Sequence, residues 1–127
     1  TQFYAQRLSL WQGDFFEFSA GTIASVDWIY DRAALIALPK VMQKKYVEHL
    51  KTFFASHTRL FLMTLEFPEQ QIAGPPFSIS DADVKRLFSG FTVEHVASYE
   101  LKNKQFAQRT LEVEYLIEKL YIISCYS

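Results

Sequence analysis

The stretch RLFLMTLEF, residues 59–67, constrains the fold more than any other part of the chain. It is a nearly continuous apolar run of strand length, and such runs occur in strands that are covered on both faces. Residues 38–54 before it repeat apolar side chains every three to four positions and place lysines on the opposite side, which predicts an amphipathic helix. A buried strand that follows such a helix is typical of a central, parallel strand in an α/β sheet.

Two further strands are predicted before this helix. Residues 8–11, LSLW, alternate apolar and polar side chains and then reach a turn at Gly13 and Asp14. Residues 26–31, VDWIYD, are rich in aromatic and β-branched side chains, as strands are. We expect these two strands to be neighbours in one sheet, with their carboxyl ends at the same edge.

The second half of the chain predicts one more helix and a strand pair. In residues 78–91, Ser80 is a suitable N-cap, Asp83 follows three residues later, and Gly90 is a suitable helix stop. Residues 91–100 and 112–124 are β-rich with no helix between them, which predicts an antiparallel pair. The order strand, strand, helix, strand, helix, strand pair predicts one α/β domain over residues 1–127, with a mostly parallel sheet.

Composition narrows the range of partners. The 127 residues carry a formal charge of -1, so electrostatics gives no reason to expect nucleic acid or an anionic membrane. A single cysteine, Cys125, forms no internal disulfide or thiolate cluster and indicates a cytoplasmic protein. No apolar run approaches the roughly 20 residues of a membrane span. A small-molecule partner fits these features best, and no metal-ligand spacing occurs.

Polar residues follow both early strands. Gly13 and Asp14 come after the first, and Asp31 and Arg32 lie at the carboxyl end of the second. In open α/β sheets, ligands bind beyond the carboxyl ends of the strands, so these residues predict a binding crevice. Two other interpretations stay open: an Asp-Arg pair also forms surface ion pairs or helix caps, and Gly-Asp is common in ordinary turns.

Several motifs occur in the order and spacing of a known family. They are LWQGDFF, YDRAALIALP, MTLEF, AGPPF and EKLYII. Together they resemble the thiopurine S-methyltransferase family, in particular its bacterial members, from about residue 8 to about residue 123. The related thiol and halide methyltransferases share the GDFF and GPP neighbourhoods, so that group is an alternative, but DRAALIALP favours the thiopurine group.

The resemblance implies a class I methyltransferase that uses S-adenosyl-L-methionine as co-substrate. Its fold would be Rossmann-like, a doubly wound and mostly parallel sheet of seven strands that ends in an antiparallel hairpin. The activity implied is methyl transfer to the sulfur of aromatic or heterocyclic thiols, with extension to selenium or tellurium species. Such a transfer needs no covalent protein nucleophile, because thiolate is itself the attacking group.

The resemblance also implies site residues. Cofactor contacts would be Trp11, Gln12, Gly13, Asp14, Asp31 and Arg32. Substrate contacts would be Gly74, Pro75, Pro76, Phe77 and Arg109. At the last position the family usually has Arg-Gly, whereas this chain has Arg109 and Thr110.

The family's first strands and Gly-rich cofactor loop have no counterpart in this chain. A fragment of a longer protein, an incomplete sequence and a truncated, inactive relative are all consistent with this. A half-sheet would expose an apolar strand edge, which favours a missing half and would encourage self-association. The alternative function is a non-catalytic, methyltransferase-like scaffold or interaction domain.

Overall fold

The computed structural model describes residues 2–5 and 7–125, and the side chains from residue 7 onward. Two α-helices, eight strands and four short 3-10 helices occur in this part of the chain. The helices are α1 (Lys40–Lys51) and α2 (Asp81–Leu87), and the 3-10 helices are Phe15–Glu17, Ala20–Thr22, Leu35–Ala37 and Glu69–Gln71. The strands are β1 (Gln2–Ala5), β2 (Leu8–Trp11), β3 (Trp28–Asp31), β4 (Arg59–Glu66), β5 (Phe91–Glu100), β6 (Gln105–Phe106), β7 (Arg109–Thr110) and β8 (Ile117–Cys125).

The main sheet has four strands in the order β3-β4-β8-β5. The predicted mixture of helices and strands is confirmed, but the prediction of a mostly parallel sheet is wrong for this chain. Only β3 and β4 pair in parallel, whereas β8 pairs antiparallel with β4 on one side and with β5 on the other. The reason is that β8 comes last along the chain and enters between two strands that run the other way.

The LSLW strand is confirmed as β2, but its predicted place beside β3 is wrong. It pairs antiparallel with β1, with Ala5 opposite Leu8, in a separate sheet of two strands. Such a local partner is available at a low cost in loop-closure entropy, whereas pairing with β3 would close a much longer loop.

Strand β4 and helix α1 form the centre of the core, as predicted. Five of the eight β4 side chains are buried, namely Leu60, Leu62, Met63, Thr64 and Leu65. Helix α1 begins directly after Pro39, a residue that suits a helix start because no amide hydrogen is needed there. Its buried side chains are Gln43, Tyr46, Val47 and Leu50.

The predicted N-terminal cap of α2 is confirmed. The Asp83 amide donates to Ser80 Oγ at 3.1 Å, and the Ser80 amide donates to Asp83 Oδ2 at 3.0 Å. This reciprocal pair satisfies two amide groups that the first helical turn cannot. The helix ends at Leu87 with Phe88 as its C-cap, earlier than the predicted stop at Gly90. Gly90 has a φ of 87° and lies in the turn between the helix and β5.

The antiparallel pair at the end is also confirmed, as β5 and β8, with a bulge between His95 and Ala97. Its second strand begins at Ile117 rather than at residue 112. Residues 101–116 instead contain the small hairpin β6–β7, in which the Leu111 amide donates to the Lys104 carbonyl at 2.8 Å. This hairpin was not predicted.

Candidate functional site

Asp31 is the last residue of β3, and its side chain is only 3% exposed. Its Oδ1 accepts hydrogen bonds from the amides of Ala34 at 3.0 Å and Leu35 at 3.4 Å, so it caps the turn that follows the strand. Its Oδ2 accepts from the Tyr46 hydroxyl at 2.6 Å. The charge at the end of this buried strand is therefore stabilised from within the protein, which agrees with the cap interpretation.

The Tyr46 hydroxyl is neutral and donates its hydrogen bond to the Asp31 carboxylate. Burial raises the pKa of Tyr46 far above its ordinary value, and the negative charge and hydrogen bond of Asp31 raise it further. The phenol consequently stays protonated throughout the physiological range and keeps donating to the carboxylate. The helical period had placed Tyr46 on the buried face of α1, but nothing in the sequence indicated its partner.

Arg32 differs completely from its neighbour. Its side chain is exposed, and within residues 7–125 it makes no hydrogen bond or ion pair. Asp31 is bound by backbone amides and a tyrosine instead of by this guanidinium. Arg32 is thus a cation that is available to a ligand.

The first cleft of the candidate site has a volume of about 390 Å³. Its lining residues are Trp11, Gln12, Gly13, Asp14, Phe15, Glu17 and Phe18. The Trp11 ring is 42% exposed, and Asp14 Oδ1 accepts from the Phe16 amide at 2.9 Å, which holds the turn in place. The structure therefore brings four of the six predicted cofactor residues into one concave surface.

Aromatic side chains fix this cleft to helix α1. The Phe15 ring centroid lies 5.6 Å from that of Tyr46, 4.8 Å from that of His49 and 5.5 Å from that of Phe53. His49 Nε2 also lies 2.9 Å from the Phe18 carbonyl oxygen. Tyr46 is shared, because it packs against the cleft through Phe15 and binds Asp31 through its hydroxyl.

The GPPF loop is hydrogen-bonded to the segment that follows Asp31. The Phe77 amide donates to the Ile36 carbonyl at 2.7 Å, and both peptide bonds that precede Pro75 and Pro76 are cis. Gly74 has a φ of 87°, and a Cβ at this position would lie 2.5–2.8 Å from three carbon atoms of the Phe77 ring. No larger residue fits there without moving the ring.

A hydroxyl group closes the longer loop that contains GPPF. Ser78 Oγ accepts from the Phe67 amide at 3.0 Å and donates to the Phe67 carbonyl at 2.9 Å. Because Ser78 is buried, these bonds are shielded from water and join the two ends of the loop firmly.

The second cavity, of about 220 Å³, lies between the GPPF loop and the β6–β7 hairpin. Its lining residues are Ala33, Ile36, Ala37, Pro75, Pro76, Phe106, Ala107, Arg109 and Leu111. Arg109 Nη1 donates to the Pro75 carbonyl at 2.9 Å. Two parts of the predicted substrate site that are 34 residues apart are therefore in contact.

The two cavities share no lining residue, and neither is lined by Asp31 or Arg32. They are connected through the protein by residues 31–33, since Asp31 contacts Tyr46, which packs on Phe15 of the first cleft, and Ala33 lines the second cavity. The sequence analysis missed Phe106 and Ala107 as cavity residues, because the stretch around them has neither helical nor strand periodicity.

Two further properties of the described residues bear on partners. No group of three or more histidine, cysteine, aspartate and glutamate side chains within residues 7–125 is arranged to hold a metal ion. Neither helix in that part of the chain has the length and apolar character that crossing a bilayer requires.

The fold and the two cavities define a mixed α/β protein with spaces of small-molecule size, one beside an exposed tryptophan and the other beside an arginine. The family model described as thiopurine S-methyltransferase matches residues 1–125. The chain belongs to the thiopurine S-methyltransferase family.

Individual relatives agree with this assignment. The thiopurine S-methyltransferase of Marinobacter nauticus is 36% identical over 111 residues, which cover 86% of this chain and 51% of that protein. The thiopurine S-methyltransferase of Pseudomonas paraeruginosa is 34% identical over 125 residues, 96% of this chain and 56% of that protein. That of Pseudomonas fluorescens strain SBW25 is 44% identical over 88 residues, 69% of this chain and 40% of that protein. The chain spans about half the length of these relatives.

Proposed function

We propose that this chain forms part of the active site of an S-adenosyl-L-methionine-dependent S-methyltransferase. The acceptors would be aromatic or heterocyclic thiols and, as the family resemblance implies, selenium or tellurium species. The observation that carries the proposal is the contact between Arg109 and the GPPF loop at the second cavity. It joins two segments that only the family resemblance had related to a common substrate.

The residues of the first cleft suit the adenosine end of the cofactor. Trp11 offers an exposed aromatic face for stacking, and Gln12 and Asp14 line the same cleft with polar groups. Arg32 lies outside the lining of this cleft, and in this proposal it contacts the cofactor from the turn after β3 through a guanidinium, which presents both hydrogen-bond donors and a flat cationic face. In this proposal Asp31 is a positioning residue, since both of its oxygens are already bound and it fixes the turn on which Arg32 stands.

The second cavity suits a small aromatic thiol. Eight of its nine lining residues are apolar, and Arg109 supplies the one charge among them. Apolar walls exclude water from a bound ring, and a nearby guanidinium favours the thiolate over the neutral thiol. Thiolate is the nucleophilic form of sulfur, so these residues would promote the reactive state without abstracting a proton themselves.

When bound, S-adenosylmethionine would supply a methyl group on a positively charged sulfur: the bond from the thiolate sulfur to the methyl carbon would form as the bond to the sulfonium sulfur breaks, and S-adenosylhomocysteine would be left as a neutral thioether. The contribution of the protein is to hold the two sulfur atoms and the methyl carbon in line, which is the proximity and orientation part of catalysis. The turn from Arg32 to Ile36 suits this task. It is fixed at one end by Asp31 and at the other by the Phe77 amide.

Titration of S-adenosylmethionine and S-adenosylhomocysteine into the protein tests the cofactor half of the proposal. Arg32→Ala removes an exposed cation that has no structural partner, so we expect unchanged stability and an affinity about 10- to 100-fold lower, as the loss of a charge-assisted hydrogen bond would produce. Arg86→Ala is the control, because Arg86 is an exposed arginine whose partner is Asp83 on α2. Equal affinity of wild type and Arg32→Ala would exclude Arg32 from the cofactor site.

A further inference from the structure

We infer that Tyr46 couples the first cleft to the second cavity, so that a ligand bound in one raises the affinity of the other for its own ligand. The inference rests on the proposed function, which assigns the cofactor to the cleft and the thiol to the cavity. It gives a positioning role to a side chain that lines neither space and that the helical period had only placed on the buried face of α1.

Tyr46 contacts one residue on each side. Its ring centroid lies 5.6 Å from that of Phe15, which lines the first cleft. Its hydroxyl donates to Asp31 Oδ2 at 2.6 Å, and both residues are buried. A short, buried hydrogen bond to a carboxylate is strong and tolerates little displacement. Any movement of the Tyr46 side chain therefore acts on Phe15 and on Asp31 together.

Asp31 transmits such a movement to the wall of the second cavity. Its other oxygen, Oδ1, accepts hydrogen bonds from the amides of Ala34 and Leu35 at 3.0 and 3.4 Å. Three residues of the same segment, 33–37, line the cavity. The Asp31 carboxylate consequently determines where this part of the wall lies, and the Tyr46 hydroxyl helps to determine where the carboxylate lies.

The sign of the coupling is expected to be positive. The first cleft is held by ring contacts, which are individually weak, so a bound ligand restricts the motion of Phe15 and of the tyrosine that packs on it. A second ligand that binds to an already ordered turn loses less conformational entropy, and its affinity rises without any change of structure. Such coupling is reciprocal and usually changes affinity by about 5- to 150-fold.

Calorimetric titration of two probes measures the coupling. S-adenosylhomocysteine occupies the cofactor site without transferring a methyl group, and thiophenol is a simple aromatic thiol. For wild type we expect saturating S-adenosylhomocysteine to lower the dissociation constant of thiophenol at least about fivefold. Tyr46→Phe keeps the ring and removes only the hydroxyl, so this factor should fall to less than about twofold.

Hydrogen exchange gives a readout that a direct contact between the two ligands would not produce. Adenosine, the probe here, has only the part of the cofactor that the first cleft suits. Saturating adenosine should slow the exchange of the Ala34 and Leu35 amides, which donate to Asp31, at least about threefold in wild type. In Tyr46→Phe the same adenosine concentration should leave their exchange rates nearly unchanged.

Tyr121→Phe is the matched control and should keep the wild-type factor. Tyr121 is also a buried tyrosine whose hydroxyl donates to an aspartate, Asp81, and it lines neither space. If Tyr46→Phe does not fold, Phe15→Leu decides by the same criterion, because it removes the ring contact and leaves the hydroxyl of Tyr46 in place.

The outcomes separate the inference from the proposed function. Absence of coupling in wild type, or a wild-type factor in the deciding variant, overturns the inference and leaves the proposed function standing. Failure of wild type to bind one of the two calorimetric probes overturns the corresponding half of the proposed function, and the inference with it.

Discussion

The two cavities are built next to the same turn but are held by different forces. The first cleft rests on ring contacts, in which Phe15 packs on Tyr46, His49 and Phe53. The GPPF loop beside the second cavity is held by backbone hydrogen bonds and by a glycine with no space for a side chain. Ring contacts are individually weak and change gradually with distance, whereas short hydrogen bonds and a close contact tolerate little displacement. We therefore expect the residues of the first cleft to be displaced more easily than the GPPF loop.

The largest effect is expected where the close contact is broken. Gly74→Ala places a methyl group against the Phe77 ring and imposes a left-handed conformation on alanine, so we expect a loss of about 3 kcal/mol in unfolding free energy. Gly90→Ala is a matched control, because Gly90 has the same φ of 87° but open space around its Cα. It should lose only about 1 kcal/mol. Equal losses in urea unfolding would show that the ring contact contributes nothing.

A smaller effect is expected in the aromatic region. Phe15→Ala removes four ring contacts of a half-buried side chain, and we expect a loss of about 2 kcal/mol, below the value for a fully buried phenylalanine. Phe16→Ala, which truncates the adjacent and 38% exposed ring, should cost less than about 1 kcal/mol. A larger loss of unfolding free energy for Phe15→Ala than for Gly74→Ala would contradict the comparison, because the first cleft would then be held more tightly than the GPPF loop.

The smallest effect is expected when acid protonates Asp81. This residue belongs to a cluster of charged side chains at the end of β4, where the segment that contains GPPF begins. Lys119 Nζ bonds Glu66 at 2.8 Å and Asp81 at 3.3 Å, and Tyr121 donates to Asp81. The Tyr121 hydrogen bond is the main cause that lowers the pKa of Asp81; burial opposes it, and Lys119 and the nearby His95 add to it.

The sign of the pH effect follows from that lowered pKa. Because the carboxyl is more acidic in the folded state, its contribution to stability is present above the ordinary carboxyl pKa of about 4 and is lost as the pH falls through the folded value. Asp81→Asn should therefore lower the stability at about pH 7 by less than about 1 kcal/mol, because the site is half exposed, and should have no effect at about pH 2. Thermal unfolding at both pH values checks this, and an equal loss at both would contradict it.

Local patterns in the sequence predicted both helices, because helix caps and helical periods depend only on residues that are close together in the chain. The Ser80–Asp83 spacing gave the start of α2, and the 3.6-residue period gave α1 and its buried face. Pairing in the sheet is different, since Arg59 and Ser124 meet across 65 residues and no local pattern encodes the choice. The position of β8 between β4 and β5 was missed for that reason.

In the candidate site, too, features set by neighbouring residues were predicted, and contacts between distant residues were not. Gly13, Asp14, Asp31 and Arg32 could be found at strand ends from the sequence, and the family motifs added GPPF and Arg109. The hydrogen bond from Tyr46 to Asp31 could not be predicted. The helical period shows that Tyr46 faces the core, but it does not identify the group that its hydroxyl contacts. The β6–β7 hairpin was invisible because its turn residues, Ala107 and Gln108, are not those that tight hairpins usually select.

The central position of β8 also has a consequence for the order of events during synthesis. The ribosome releases β3, α1, β4, α2 and β5 well before residues 117–125, yet β4 and β5 both pair with that last strand. Until it emerges, a nascent chain carries the apolar strand β4 with one unpaired edge, together with an unpaired β5, a state that favours aggregation. The rate at which residues 101–125 are translated therefore sets how long these edges stay unpaired.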